Sequence, residues 1–398
     1  MSAYVLAGAI VLIVVLVLRR HISASALRDV LSYFFISSLA AGLEPATAKA
    51  ALLRGSASQG PDRVLLAVSA AKALAAAPFI AVVWRFIDPG LPLGALFLTP
   101  LIALAGFAAS DLRVFLDVRG HYVRAIGLKQ GSLAGGLVVV GALTLLGVPL
   151  VWSMAASTAA RVALPLFAFD LGPARSGVRS WAAALDHLTD VRWLELMGAS
   201  AISAIDGSTD RILGLRYLAP TVFATYYLVF EVFGRFWILS YVITPILFAR
   251  LASHQDTGAL VRGGVAFILG AGVGFLSLIG VGFLLAPALL ARLLGAAYGP
   301  PIFAFALAVV LVGVTQIWFA YLQGSGRTRR ATILIGLDAV LSALVFFLLL
   351  QRFGLAGLFV GWLVKALLEL LVLSIWGRPN ARPMPAADVG AERHRPAV

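Results

Sequence analysis

The residues best suited to chemistry in this sequence are a few ionisable side chains inside long apolar stretches. Charge at bilayer depth is costly, so such a residue usually faces a cavity, a partner or a ligand. Several therefore predict a water-filled cavity rather than a purely lipid-facing scaffold. They are Lys72, Arg161, Asp206, Asp210, Arg211, Glu231, Arg235, Asp338, Lys365 and Glu369.

Arg161 has no oppositely charged partner in its own apolar stretch. A guanidinium binds phosphate oxygens through a planar fork of N–H groups, and this suits a pyrophosphate head group. Arg161 is therefore the best single candidate for contact with an anionic ligand.

Most of the other charged residues also have a purely structural interpretation. Glu231–Arg235 and Lys365–Glu369 have i,i+4 spacing, so each pair could simply neutralise itself on one helix face. Lys72 lies near the end of its stretch, where its ammonium can reach the interface. Asp210 and Arg211 could anchor their stretch at the outer interface.

The elements that position these residues must be membrane helices. The 398 residues are 61% hydrophobic and only 12% charged, and the mean hydropathy is +0.98. A soluble chain carries roughly twice that charged fraction. Backbone groups in lipid must be paired internally, and apolar runs of this length favour helices over barrel strands.

We predict about twelve spans, separated by short loops with turn residues. Turn signals include Asp88-Pro89-Gly90, Gly147-Val148-Pro149, Gly299-Pro300-Pro301 and Gly354. The spans are near 4–18, 27–45, 64–86, 91–109, 126–147, 149–169, 193–214, 219–249, 263–289, 302–323, 331–351 and 355–376.

Loop charge predicts the orientation. With the N-terminus in the cytoplasm, the cytoplasmic loops carry more than twice as many Lys and Arg residues as the opposite side. This distribution follows the positive-inside rule, although Arg19, Arg20 and Arg28 are discordant. We expect a multi-pass bacterial inner-membrane protein with both termini in the cytoplasm.

Several functions are disfavoured by the sequence. The chain has no cysteine, none of its four lysines follows a glycine as a P-loop requires, and its histidines lack metal-ligand spacing. The formal net charge of +13 is explained by basic loops rather than by nucleic acid. We expect no enzyme, cofactor, metal site or ATP site.

A weak internal repeat divides the chain into halves. Pro45 and Pro245 close corresponding spans, and Arg124-Ala125 and Arg330-Ala331 close corresponding loops. The repeat predicts two six-helix bundles with a site between them. The predicted units are an N-terminal lobe (1–170), a cytoplasmic inter-lobe loop (171–192), a C-terminal lobe (193–376) and a disordered cytoplasmic tail (377–398).

Short motifs recur along nearly the whole chain. They are Gly42-Leu43-Glu44-Pro45, Asp210-Arg211 with Gly214, Tyr226-Tyr227, Pro245, Arg250, Tyr298-Gly299 and Gly324-Ser325-Gly326-Arg327. Together they resemble the polysaccharide-exporter family, which includes the O-antigen flippases and belongs to the multidrug/oligosaccharidyl-lipid/polysaccharide (MOP) superfamily. Asp338 departs from the pattern, because many members have an uncharged polar residue there.

The resemblance implies transfer of an undecaprenyl-pyrophosphate-linked oligosaccharide from the inner to the outer leaflet by alternating access. The implied partners are this lipid-linked oligosaccharide, membrane lipids and a proton or sodium ion, with a polysaccharide polymerase and chain-length machinery as candidates. Arg161, Arg211 and Arg235 are the expected substrate-binding residues. The ion-coupling candidates are Asp206, Asp210, Glu231 and Asp338.

Three alternatives remain open. A cation-coupled multidrug antiporter of the same superfamily would need buried carboxylates but no buried arginines. A polymerase or ligase of polysaccharide assembly would need a long periplasmic loop, which the predicted topology lacks. A peptidoglycan-precursor flippase usually has about fourteen spans rather than about twelve.

Overall fold

The computed structural model describes residues 2–43, 63–118, 122–166, 201–237, 239–240, 243–244, 247, 258–294, 299–324 and 328–376. The predicted inter-lobe loop (171–192) and tail (377–398) lie outside these residues. Within them, regular structure is helical and no strand occurs. The helices are α1 Ser2–His21, α2 Ala24–Gly42, α3 Arg63–Ile87, α4 Leu93–Leu96, α5 Thr99–Val118, α6 Tyr122–Leu145, α7 Leu150–Leu166, α8 Thr209–Tyr217, α9 Pro220–Phe233, α10 Gly258–Leu285, α11 Pro287–Leu294, α12 Pro300–Gly324, α13 Thr328–Phe353 and α14 Leu355–Trp376.

The helix boundaries follow local sequence signals. Ser23 caps α2 by accepting a hydrogen bond from the amide of Ala26 at 3.2 Å. Pro220 opens α9, where its missing N–H costs nothing. Gly354 has a φ of +56° between α13 and α14, a conformation that glycine adopts without strain. The predicted turn at this glycine is therefore confirmed.

Six helices in the described part of the chain are long and apolar enough to cross a membrane. Two shorter apolar helices, Gln130–Leu145 and Leu150–Leu164, accompany them. The all-helical class is confirmed, and the total of about twelve spans remains a prediction. The six lie within Val68–Ile87, Leu93–Arg113, Gly258–Leu285, Pro300–Leu322, Ala331–Phe353 and Leu355–Ile375.

The predicted seventh and eighth spans are interrupted. Residues 201–206 are helical, Gly207 and Ser208 form a turn, and α8 begins at Thr209. Helix α9 ends at Phe233 and continues as a 3₁₀ turn, Gly234–Trp237. Apolar periodicity predicted one continuous helix in each case. Gly207 and Gly234, which are weak helix formers, lie at the interruptions.

Helix pairings of the N-terminal half recur in the C-terminal half. Helix α5 packs against α3, α6 and α7, and correspondingly α12 packs against α10, α13 and α14. The pairs α1–α6 and α6–α7 have counterparts in α8–α13 and α13–α14. This is the arrangement expected of a repeat. The lobe boundaries themselves remain predictions.

The two halves contact each other at the end where α1 leads into α2 and α8 leads into α9; we call this the closed end. Contact also occurs at the other end of α2, where a Cβ on Gly42 would lie 3.5 Å from Ala204 Cβ. Arg28 donates to the carbonyl of Leu215 at 2.7 Å, and Arg19 donates to the Thr225 hydroxyl at 3.2 Å. The rings of Phe34 and Tyr227 pack edge to face. Side chains of both halves therefore join in one apolar core.

Candidate functional site

Lys365, on α14, is surrounded by three carboxylates. Its ammonium donates to Asp206, lies 2.6 Å from Asp338 Oδ2 and lies 3.0 Å from Glu369 Oε1. Lys365 is only 1% exposed, and the three acidic residues are also buried. The Lys365 cluster, as we call these four residues, therefore joins the 201–206 helix to α13 and α14.

Hydroxyl groups support the outer oxygens of this cluster. Ser342, on α13, donates to Asp206 Oδ1 at 2.7 Å. Thr315, on α12, donates to Glu369 Oε2. Asp338 Oδ1 is buried and has no hydrogen-bond partner among the described residues. The cluster thus has three carboxylates for one ammonium, a combination that is costly in a low-dielectric interior unless a further positive charge or proton is present.

Asp210 lies just past the Gly207–Ser208 turn and is fully buried. Its Oδ2 accepts from the Tyr226 hydroxyl and, at 3.1 Å, from the indole of Trp362. Its Oδ1 lies 3.6 Å from Arg211 Nε. Asp210 therefore ties α8 to α9 and α14, and it is separate from the Lys365 cluster.

Arg211 lies between the two halves. Its guanidinium carbon is 4.4 Å from the ring centroid of Phe230 and 5.6 Å from that of Phe35, on α2. One of its terminal nitrogens donates to the carbonyl of Gly207 and lies 3.3 Å from the Ser208 hydroxyl. Much of its binding capacity is thus used to stabilise the interrupted seventh span and the aromatic contacts around it.

Glu231 and Arg235 form the ion pair that their spacing predicted. Arg235, in the 3₁₀ turn, donates to Glu231, near the end of α9, and Tyr227 donates to Glu231 Oε1 at 3.1 Å. Both charged side chains are partly exposed, at 20% for Arg235 and 16% for Glu231. The pair is thus locally neutral.

Arg161, on α7, is 3% exposed, and its environment differs from those of the paired charges described above. Its Nη2 makes one long contact, 3.4 Å, with the carbonyl of Ser37. Its Nε and Nη1 are buried, as is the Ser37 hydroxyl, and none of them has a hydrogen-bond partner among the described residues. No described carboxylate forms a salt bridge with it. The guanidinium therefore keeps free donors beside a free hydroxyl.

Gly136, on α6, makes room for the Arg161 side chain. A Cβ atom at this position would lie 2.4 Å from Arg161 Cδ, closer than real Cβ contacts. The Ser157 hydroxyl donates to the carbonyl of Gly136 at 2.7 Å and receives the Tyr33 hydroxyl at 2.9 Å. Tyr33, Ser157 and the Gly136 carbonyl thus satisfy one another, and none of them accepts from Arg161.

The structure brings some predicted residues together and separates others. Asp206 and Asp338 share Lys365, whereas Asp210 pairs with Arg211 and Glu231 with Arg235. Sequence reasoning treated Lys365 and Glu369 as an isolated intrahelical pair and so missed their part in the cluster. Their shared helix face in an apolar stretch was the available signal.

Polar groups in the N-terminal half were also missed. Ser32 donates to Asp88 at 3.2 Å and receives the Trp84 indole at 3.1 Å, near the closed end. Ser69 donates to the buried Asp111 at 2.6 Å, and Asp111 interacts electrostatically with Lys72. Lys72 is therefore buried and paired rather than extended toward the interface.

Solved structures with the same fold identify the architecture. An outward-facing multidrug resistance MATE family transporter of the MOP superfamily matches with a TM-score of 0.56 and 16% identity, covering 94% of each chain. The lipid II flippase MurJ, in an inward closed conformation, matches with a TM-score of 0.60 and 10% identity, covering 94% of this chain and 86% of MurJ. A eukaryotic MATE transporter matches with a TM-score of 0.60 and 13% identity, covering 94% and 91%.

The fold is that of the MOP transporters. Together with the apolar helices, it makes this chain a multi-pass membrane protein. The resemblance to the MOP superfamily is thereby confirmed at the level of fold, and the polysaccharide-exporter family remains a prediction. No protein-family model matches the sequence, and no curated protein matches it.

Proposed function

We propose that this protein is a flippase of the bacterial inner membrane. It would move an undecaprenyl-pyrophosphate-linked oligosaccharide from the inner to the outer leaflet for surface polysaccharide biosynthesis. The described chain has the fold of transporters, among them a lipid II flippase. On this proposal it acts as a transporter and not as a polymerase or ligase.

The observation that carries the proposal is the guanidinium of Arg161, which has no salt bridge with any carboxylate in the described part of the chain. An uncompensated buried charge is strongly destabilising, so a protein rarely retains one without a ligand or partner. In the C-terminal half, each intramembrane carboxylate named above has a cationic partner. Arg161 therefore supplies a local positive charge that no described carboxylate neutralises, and this fits a pyrophosphate better than a cationic drug.

Arg211 and Arg235 are proposed as further substrate contacts. The Arg211 and Arg235 side chains are 15% and 20% exposed. Their acidic partners, Asp210 and Glu231, are 0% and 16% exposed. Each already pairs with one carboxylate, so we assign them a supporting role in which they meet pyrophosphate or acidic sugars. Arg161 would provide the principal contact.

The closed end supports alternating access. The contacts of Arg28 and Arg19 across the two halves use a backbone carbonyl and a hydroxyl, both of which can return to water when the halves separate. The predicted orientation, which follows from loop charge, would put this end on the periplasmic side. On this proposal, the described conformation is closed toward the periplasm, and both termini are cytoplasmic.

Asp206 and Asp338 are the strongest of the four ion-coupling candidates. They share a buried cation on helices from different parts of the C-terminal half, so a change in their charge would act on helix packing directly. Asp210 and Glu231 each pair with a single arginine close to them in sequence and rank below them. Flipping that persists unchanged after the ion gradient collapses would exclude a coupling role for all four.

A cation-coupled multidrug antiporter is the second candidate. Two observations favour it: MATE transporters share the fold, and carboxylates outnumber cations in the Lys365 cluster. This function would leave the excess positive charge of Arg161 unexplained.

A deletion strain would distinguish the two functions. We expect loss of one surface polysaccharide, with its undecaprenyl-linked unit accumulating on the cytoplasmic leaflet, and restoration by the wild-type gene. Arg161→Met should fail to restore it, whereas Arg352→Met, which removes an exposed arginine beside Phe353, should succeed. A normal glycan profile with altered drug sensitivity would instead support the antiporter.

A further inference from the structure

The Lys365 ammonium fills a shell of carboxylate oxygens. A lysine ammonium has three N–H donors, and three acceptors surround it: Asp206, Asp338 and Glu369. All four residues are buried. All three N–H donors of Lys365 therefore have a carboxylate acceptor. The ammonium is surrounded in the way that a bound cation is, and it does not extend toward water.

The same oxygens have the spacing of a cation site. One carboxylate oxygen from each acidic residue lies within 4.8 Å of the other two. A hard cation such as Ca²⁺ binds oxygen at about 2.3–2.6 Å, so ligands on opposite sides of an ion of this size are about 5 Å apart. The hydroxyls of Ser342 and Thr315 hold the outer oxygens of Asp206 and Glu369. Asp338 Oδ1, buried and without a partner among the described residues, provides spare acceptor capacity.

We propose that Lys365 is a built-in cation that closes this site to metal ions. Its ammonium lies where a hard, oxygen-binding cation would sit, and it uses the oxygen from each carboxylate that such an ion would need. Without the lysine, the three carboxylates form a site for a small monovalent cation such as Na⁺. The inference concerns cation binding alone, so it does not depend on the transported substrate.

The test uses the purified full-length protein in detergent, with Na⁺ compared against choline. We expect the melting temperature of the wild type to be the same in both salts. For Lys365→Ala, we expect a lower melting temperature in choline and an increase of about 2–4 °C or more in Na⁺, since a ligand that binds only the folded state stabilises it.

Two control variants identify the site. Lys365→Ala combined with Asp338→Asn removes one ligand charge and should lose most of the Na⁺-dependent increase. Lys365→Met fills the space with an apolar chain and should show a smaller increase than Lys365→Ala. Together these outcomes assign Na⁺ to the position vacated by the ammonium.

The wild-type measurement keeps the inference testable even where the alanine variant fails to fold. A Na⁺-dependent increase in the wild type that Asp338→Asn abolishes would overturn it, because the metal would then bind beside the lysine. A folded, monodisperse Lys365→Ala protein with no response to Na⁺ would overturn it equally. Neither result bears on whether the protein is a flippase.

Discussion

Lys365 and Arg161 occupy similar places in the two halves of the molecule. Lys365 lies ten residues after the start of α14, and Arg161 lies eleven residues after the start of α7. Helix α14 packs against α12, and in the other half α7 packs against α5. Both side chains are almost completely buried.

The environments of these two cations are opposite. Lys365 contacts three carboxylates, whereas Arg161 has two free nitrogens and no salt bridge among the described residues. Similar positions therefore hold a cation that stabilises helix packing in one half and a cation with free N–H donors for a ligand in the other. The difference suggests that a buried charge is identified as functional by the lack of a partner, and not by burial alone.

The largest expected effect comes from Lys365→Met. Removing the ammonium leaves three buried carboxylates without their shared counter-charge, so we expect a loss of about 3–5 kcal/mol in folding free energy. Thermal unfolding in detergent measures it. Adding Asp338→Asn should recover part of the loss. An unchanged melting temperature would show that the cluster does not hold α13 and α14 together.

Arg161→Met should reduce transport and leave folding stability intact, in contrast to Lys365→Met. Because no described carboxylate loses a partner, the melting temperature should stay the same or rise. Transport should fall about 10- to 100-fold, as expected when a charged hydrogen bond of about 1.5–3 kcal/mol is lost. A reconstituted flipping assay with a fluorescent lipid-linked oligosaccharide measures this. Strong destabilisation with normal transport per folded molecule would make Arg161 a structural residue.

Gly136→Ala tests whether the position of Arg161 matters as well as its charge. The new methyl group would overlap Arg161 Cδ, so we expect transport to fall by roughly tenfold, the rate equivalent of about 1.4 kcal/mol. Gly135→Ala is the matched control, since a Cβ there meets nothing within 4 Å, and alanine favours the helix. Equal effects of the two variants would show that the loss comes from α6 in general.

Arg28→Gln should have the smallest effect, at the closed end. Losing its 2.7 Å hydrogen bond to the carbonyl of Leu215 removes about 1 kcal/mol from the contact between the halves. The chain has no native cysteine, so Thr225→Cys gives a unique labelling probe at this end. Because it also replaces the hydroxyl that accepts from Arg19, its labelling is compared with and without Arg28→Gln. Labelling from the periplasmic side should become several-fold faster in the Arg28→Gln background. No change in rate would mean that other contacts hold this end closed.

Membrane character and helical class could be predicted from composition and span length alone. These properties depend on the total apolar content and on the length of each apolar stretch, and neither depends on which helices contact each other. Turn residues such as Gly354 were predictable for a similar reason, because their conformational preference is local. The Glu231–Arg235 pair was also predictable, since i,i+4 spacing places both side chains on one helix face.

The partners of the remaining charges depend on tertiary structure. Asp206 and Lys365 are far apart in sequence, and only the packing of the 201–206 helix against α14 brings them together. The break at Gly207–Ser208 places Asp206 in one cluster and Asp210 in another, which apolar periodicity could not reveal. The sequence therefore determined which residues are charged within the membrane. Only the packing of helices decided that Lys365 is surrounded by carboxylates and that Arg161 is left unpaired among the described residues, because contacts between helices are independent of separation along the chain.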